Sequence, residues 1–257
     1  MLWEAWQYLS TPAPKLARKM GYLYEAIAMA ARSERCRFAW QPHYQQCQQA
    51  IQQAAEQTKA KGTVLIFGAG SLRDIPLTYL AQAFQRVILV DLVFLKSARA
   101  MVAPFPQVEL VEADVTESLE SLYHGVLQVS QPQAWLEQPI DLVVSLNLIT
   151  QLPLIPIRRL AQVFQVSELV ADQVGRDLIQ AHLDYLQRFG CPVCLIADRI
   201  DREFNAQGEL LDEFDPWWGV HFPAVEESWQ WEVVPLIESG RAKKRQVNQV
   251  GVSYFNI

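Results

Sequence analysis

Apolar residues recur along this chain at two different spacings, and the change from one to the other divides it near Gly62. From Leu16 the apolar positions Met20, Leu23, Tyr24 and Ile27 follow the 3.6-residue period of a helix, with Ser10-Thr11-Pro12 upstream as cap and first turn. A second helix is expected from Pro42, with Tyr44, Cys47, Ile51 and Ala54 on one face, ending between Lys59 and Gly62. Beyond Gly62, short Val/Ile/Leu runs alternate with helical stretches, the pattern of a parallel sheet covered on both faces. Strands are expected at 63–67, 87–91, 108–111, 140–146 and 192–197. Helices are expected at 75–84, 92–102, 116–126 and in a long stretch ending at Phe189, with Gly190 as its stop. The tail breaks the rhythm. Runs at 229–235 and 246–255 are joined by Glu238-Ser-Gly-Arg-Ala-Lys-Lys, too short for a crossover helix, so they form an antiparallel hairpin. The expected architecture is α/β: a doubly wound, mostly parallel seven-stranded sheet with that hairpin at its end. Residues 1–61 form a helical cap and residues 62–257 the main domain.

The first strand runs straight into Gly68-Ala69-Gly70. Glycines there allow a tight turn and close approach of a ligand to the backbone, with the N-terminus of the next helix behind it and Asp74 as that helix's cap. Asp91 closes the second strand, where a carboxylate can accept hydrogen bonds from ribose hydroxyls. Asp114 follows the third strand at the same carboxyl edge. Either aspartate alone has an alternative role as a helix cap; together beside the glycine turn they point to a nucleotide-like ligand. The fourth strand exits through Ser145-Leu146-Asn147, polar residues that are costly at the tip of so apolar a strand unless they line a cleft.

Composition narrows the choice of partners. At 257 residues and 51% apolar, the chain can bury one large core. A net charge of −6 argues against nucleic acid, whose binding draws on clustered Lys and Arg, and the basic run Arg241 to Arg245 reads as a solvated turn. The N-terminus lacks a basic start followed by an apolar run, and no stretch is apolar enough to span a bilayer. A soluble, cytoplasmic protein with no membrane partner is expected. Of four cysteines, Cys191 and Cys194 read as buried strand residues, since a redox pair sits where a strand feeds a helix; Cys36 and Cys47 are too far apart for a second zinc pair, so no metal is expected.

The runs VLIFGAGS, VILVD, VEAD and DLVVSLNLI, in that order and followed by the terminal hairpin, resemble those of class I S-adenosylmethionine-dependent methyltransferases, from Gly62 to the C-terminus. The resemblance implies a Rossmann-like domain with S-adenosylmethionine as cofactor. It places Gly68 and Gly70, with Ala69, under the methionine part. Asp91 would hold the ribose with Leu92 beside it, Asp114 and Ala113 would meet the adenine, and Asn147 would face the methyl group and acceptor. The family's members that methylate amino groups of nucleobases carry Asn/Asp-Pro-Pro-Tyr after the fourth strand; SLNLITQLP differs. Together with the acidic charge this favours a small-molecule acceptor, a protein side chain ranking behind it.

The acceptor side falls to the N-terminal helices and to a long segment after the fifth strand, expected to be a lid. That segment offers Trp217 and Trp218 as aromatic walls and His221 as a base beside Asn147. Arg35 and Arg37 are candidates for an anionic group of the substrate, and Tyr44 lies close to them in sequence. Two other readings stay open: a non-catalytic methyltransferase-like binding module, and an NAD(P)-dependent oxidoreductase, against which Arg73 stands where a dinucleotide fingerprint wants a third glycine. The oligomeric expectation is a monomer or homodimer.

Overall fold

The computed structural model describes residues 2–256, with the side chains of Leu2, Trp3 and Arg241 left aside. Four helices precede the sheet: α1 Leu2–Ser10, α2 Lys15–Met20, α3 Tyr22–Arg35 and α4 Arg37–Gln57. The expected helix through Leu16 and Ile27 is two helices. Gly21 adopts φ +95°, its N–H closing on Arg18 O, and the chain changes direction there. The expected start at Pro42 is also displaced: α4 begins at Arg37 and runs through Pro42. A proline in its second turn forfeits a backbone bond. What holds the turn is Trp40, 2% exposed, which donates Nε1–H to Val233 O at 3.2 Å.

Beyond α4 the elements are β1 Thr63–Phe67, α5 Leu77–Ala83, β2 Arg86–Asp91, α6 Lys96–Val102, β3 Val108–Glu112, α7 Leu119–Tyr123 and β4 Leu142–Leu146. Then come α8 Leu154–Phe164, α9 Glu168–Gln187, β5 Val193–Phe204, β6 Leu210–Phe214, β7 Glu227–Val234 and β8 Arg245–Phe255. The sheet has eight strands in the order β3-β2-β1-β4-β5-β8-β7, with β6 pairing the outer part of β5. Strands β1 to β5 are parallel and β6, β7 and β8 antiparallel to their neighbours, so the doubly wound sheet with a terminal hairpin stands, one strand larger than expected. The extra strand comes from the expected lid. Charged residues 198–204 continue β5 beyond the core because β8 runs beside them as far as Phe204↔Arg245, and β6 folds back to make an arm.

Both faces are covered. Against one lie α4, α5 and α6, burying Ile51, Leu80 and Ala98 on Ile66, Leu89, Val144 and Ile196. Against the other lie α8 and α9, with Leu160, Leu178 and Leu186 on Leu65, Phe67, Val143 and Leu195. Helix α4 therefore belongs to the sheet's own core, while α2 and α3 make a smaller cluster in which Ala17, Leu23 and Ile27 close on Val93 and Leu95 after β2. Cys36, Cys47, Cys191 and Cys194 are all free and buried. No helix among the described residues is long and apolar enough to cross a membrane.

Candidate active site at the carboxyl edge of the sheet

Strand order reverses between β1 and β4, and open α/β sheets bind ligands outside the carboxyl ends of their strands at such a point. Along that edge Gly68, Gly70, Asp91, Leu92, Ala113, Asp114, Asn147 and Leu148 are all half-buried, a continuous strip of accessible backbone and side chain; Ala69 alone of the expected set is fully buried. Gly68 has φ +81°, and a Cβ on it would run into the Leu146 carbonyl oxygen. Gly70 N–H donates to Asp91 Oδ2 at 2.8 Å, and a Cβ there would lie 2.9 Å from that oxygen. The glycines are thus dictated by the turn itself, which locks the end of β1 against β4 and β2.

Asp91 spans the turn and the next loop, its Oδ1 accepting Leu92 N–H at 2.7 Å and Val93 N–H at 3.4 Å. Burial pushes this carboxyl up to about 6, with the three backbone donors pulling the other way. A carboxylate has about four acceptor sites, so Oδ2 retains one. Asp114 differs. Its Oδ1 accepts Thr116 N–H and Oγ1–H at 2.9 and 2.7 Å, and its Oδ2 accepts Ser118 and Leu119 N–H at 3.0 and 2.8 Å. All its acceptor sites serve the start of α7, so the cap alternative describes this side chain, and an adenine contact through its carboxylate is corrected. Tyr22, at the first turn of α3, faces both acids: burial first, then Asp114 and Asp91, push its phenol well up.

The helix expected at 75–84 is present but begins two residues later. Residues 71–76 form turns, α5 begins only at Leu77, and Asp74 is not its cap. Asp74 instead turns into a buried polar nest under α4. Asn147, held at φ +47° after β4, donates Nδ2–H to Asp74 Oδ2 at 3.1 Å and lies 3.2 Å from the His43 ring. Trp229 Nε1–H is aimed at His43 Nδ1 at 3.1 Å, while Asn147 Nδ2 and Cys47 Sγ lie 3.2 and 3.6 Å from Nε2. Burial pushes His43 down to about 3, and Trp231 stacks on it at 4.0 Å between centroids, 8° from parallel. His43, Cys47 and Asp74 bring one potential ligand atom each to within 4.8 Å of one another. Asn147 and Trp229 tie His43 and Asp74 into one hydrogen-bonded assembly. Burial also pushes Asp74 up to about 6.

The expected acceptor-side residues are scattered. Arg35 Nε donates to Glu238 Oε1 at 2.8 Å in the turn after β7, and Arg37 pairs with Glu34 at 3.3 Å in solvent. Trp217 is fully buried, its N–H given to Asp198 O at 2.7 Å, and Trp218 donates to Asp172 at 3.3 Å while packing over Gly175. Both tryptophans fasten residues 215–222 to α9 and β5, which corrects their assignment as cleft walls. His221 is exposed and stacks beside Phe222, with no tie to Asn147. Tyr44 shares a hydrogen bond with Ser33 at 2.8 Å and lies 5.9 Å from His43, so of this group it adjoins the nest. Sequence reading gave no individual role to Tyr22, His43 or Trp229, and for good reason. His43 follows Pro42 on a Gln-rich helix, and Trp229 comes 186 residues later; only packing joins them.

No protein-family model matches the chain, and no curated protein matches it. Among solved structures, it is similar to the DhpI-SAM-HEP complex at 12% identity, TM-score 0.41, covering 93% of this chain and 99% of that one. A Burkholderia thailandensis 1,6-didemethyltoxoflavin-N1-methyltransferase with bound 1,6-didemethyltoxoflavin and S-adenosylhomocysteine gives 15% identity and TM-score 0.35 over 90% and 89%. The 23S rRNA methyltransferase ErmE gives 12% and 0.35 over 79% and 66%. Likeness of this degree assigns no activity; function has to come from the cleft.

Proposed function

We propose that this protein transfers a methyl group from S-adenosylmethionine to a small-molecule acceptor. One observation carries the reading: the half-buried strip from Gly68 to Asn147 lies at the switch point, and turns over residues 71–76 set its glycines apart from the N-terminus of α5. A dinucleotide's pyrophosphate needs that N-terminus; a nucleoside with an amino-acid tail does not. Asp91 keeps an acceptor site on Oδ2 for a ribose hydroxyl, Leu92 and Ala113 flank the base position, and Tyr22 covers it from α3. When bound, the cofactor supplies a methyl group already activated by a sulfonium, so the protein mainly aligns the acceptor and excludes water. Asn147 is fixed for this by its left-handed backbone and its bond to Asp74. Tyr44, His43 and Trp229 wall the acceptor side.

Calorimetric titration tests this. S-adenosylmethionine and S-adenosylhomocysteine should bind the purified protein and NAD should not, and Asp91→Asn should weaken the binding about tenfold, the scale of one charge-assisted hydrogen bond. Binding of NAD alone would restore the oxidoreductase, and binding of none of the three would leave a non-catalytic module.

A further inference from the structure

Beyond Asn147 the sheet carries a second set of polar groups that the cofactor cleft does not use. Register places Asp198, Val250 and Trp229 side by side on the α4 face, and in the next row Asp201, Asn248 and Trp231. The β-bulge between Asp198 and Ile200 is what keeps both acids on this face. Asp198 is 7% exposed and its Oδ1 has no hydrogen-bond partner; Trp231 is 6% exposed and its Nε1 has none; Asp201 Oδ1 is buried and unpartnered as well. Orphaned buried polar atoms are rare and costly, about 1–3 kcal/mol each, unless something binds them. The nearest cation, Arg199, leaves by the opposite face. There it donates Nη2–H to Ser253 Oγ at 3.0 Å, its guanidinium 4.8 Å from the Trp217 ring and 4.9 Å from Phe222. No basic side chain pairs with Asp198 or Asp201 among the described residues, so two acids and one unused indole donor share a covered face. A cleft of about 420 Å3 between the β5–β6 arm and the turn after β7, lined by Asp201, Glu203 and Asp212 and by Arg202, Lys244 and Arg245 among others, reaches this row at Asp201, with Asp198 and Trp231 outside its lining.

We propose that this face is the acceptor pocket and that its substrate is a small amine bearing a hydroxyl or carbonyl oxygen, the ammonium held by Asp198 and Asp201 and the oxygen accepting Trp231 Nε1–H. The assignment of the methylated atom rests on the methyl-transfer reading. Burial holds Asp198 up to about 7, which suits it to take a proton near neutrality. In the reaction the ammonium passes one proton to the Asp198 carboxylate. The freed nitrogen lone pair forms the N–C bond as the carbon–sulfur bond breaks, that electron pair stays on sulfur as a neutral thioether, and the charge moves to the N-methylammonium product.

Ethanolamine and phenylethanolamine, with their matched hydroxy acids glycolate and mandelate, test the pocket on the full-length protein without cofactor. Both amines should bind and neither acid should. Asp201→Asn and Asp198→Asn should each weaken the amines at least tenfold while titration with S-adenosylmethionine stays as in the parent. Failure of both amines to bind, equal binding of amines and acids, or Asp201→Asn binding amines like the parent would overturn the proposal. Loss of S-adenosylmethionine binding in the parent with amine binding intact would instead sink the methyl-transfer reading and leave the amine site.

Discussion

Three carboxyls at the head of the sheet, Asp74, Asp91 and Asp198, are held above their ordinary range by burial, and Asp198 departs furthest, to about 7. A carboxyl raised in the folded state binds its proton more readily there than in the unfolded chain. Its stabilising contribution is therefore complete below the ordinary value of 3.8 and is lost as pH rises toward about 7. Denaturation of the ligand-free parent and of Asp198→Asn across pH 4 to 8 should show the parent losing up to about 4 kcal/mol relative to the variant over that window. Parallel profiles would mean Asp198 is solvated. Arg35 illustrates the opposite regime. Its pair with Glu238 is exposed, so Arg35→Ala should change stability by less than about 1 kcal/mol, and turnover should be unaffected now that the side chain is committed away from the cleft. Single residues were readable from sequence where local chemistry decided them, as with Gly68, Gly70 and Asp91. They were unreadable where the partner was remote: Asp74 looks like a cap four residues past Gly70 and is a bonding partner of Asn147, 73 positions on.

At the scale of elements, what distinguishes this sheet's cover is the join between α2 and α3. Gly21 at φ +95° lets α3 leave at the angle that brings Tyr22 over Asp91 and Asp114, and nothing lies within 4 Å of where its Cβ would be. Gly21→Ala therefore tests backbone strain alone. It should cost about 1 kcal/mol, a fall of roughly 2–4 °C in Tm for a protein of this size, and should weaken S-adenosylmethionine binding by displacing Tyr22. A melt identical to the parent's would show the join to be unstrained. Strand positions were legible because each parallel strand is rich in Val, Ile and Leu, with Glu109 in β3 and Ser145 in β4 as internal exceptions. The arm was not: residues 198–204 are charged except for Ile200 and Phe204, which outside a sheet reads as loop, and only β8 alongside makes them strand.

For the whole molecule, burial on both faces of one sheet accounts for the behaviour of all four thiols. Each of Cys36, Cys47, Cys191 and Cys194 is buried, and desolvation raises every one of them. Ellman's reagent should find no rapidly reacting thiol in the native protein and four in denaturant. A fast thiol in the native state would place a cysteine at an accessible surface. Within the N-terminal 61 residues, α4 packs in the sheet's own core and α2–α3 pack on Val93 and Leu95 after β2.

Taken alone, the order of apolar runs determined the parallel strands and their helices, and the glycine turn with Asp91 marked how the ends of β1 and β2 are tied together, because period, turn geometry and strand ends are local properties of the chain. The proposed pocket was decided only by folding. His43, Asn147, Asp198, Asn248 and Trp231 come from a helix, the turn after β4 and three different strands, and strand order and register, which depend on how two apolar faces are covered at once, carry them to one place.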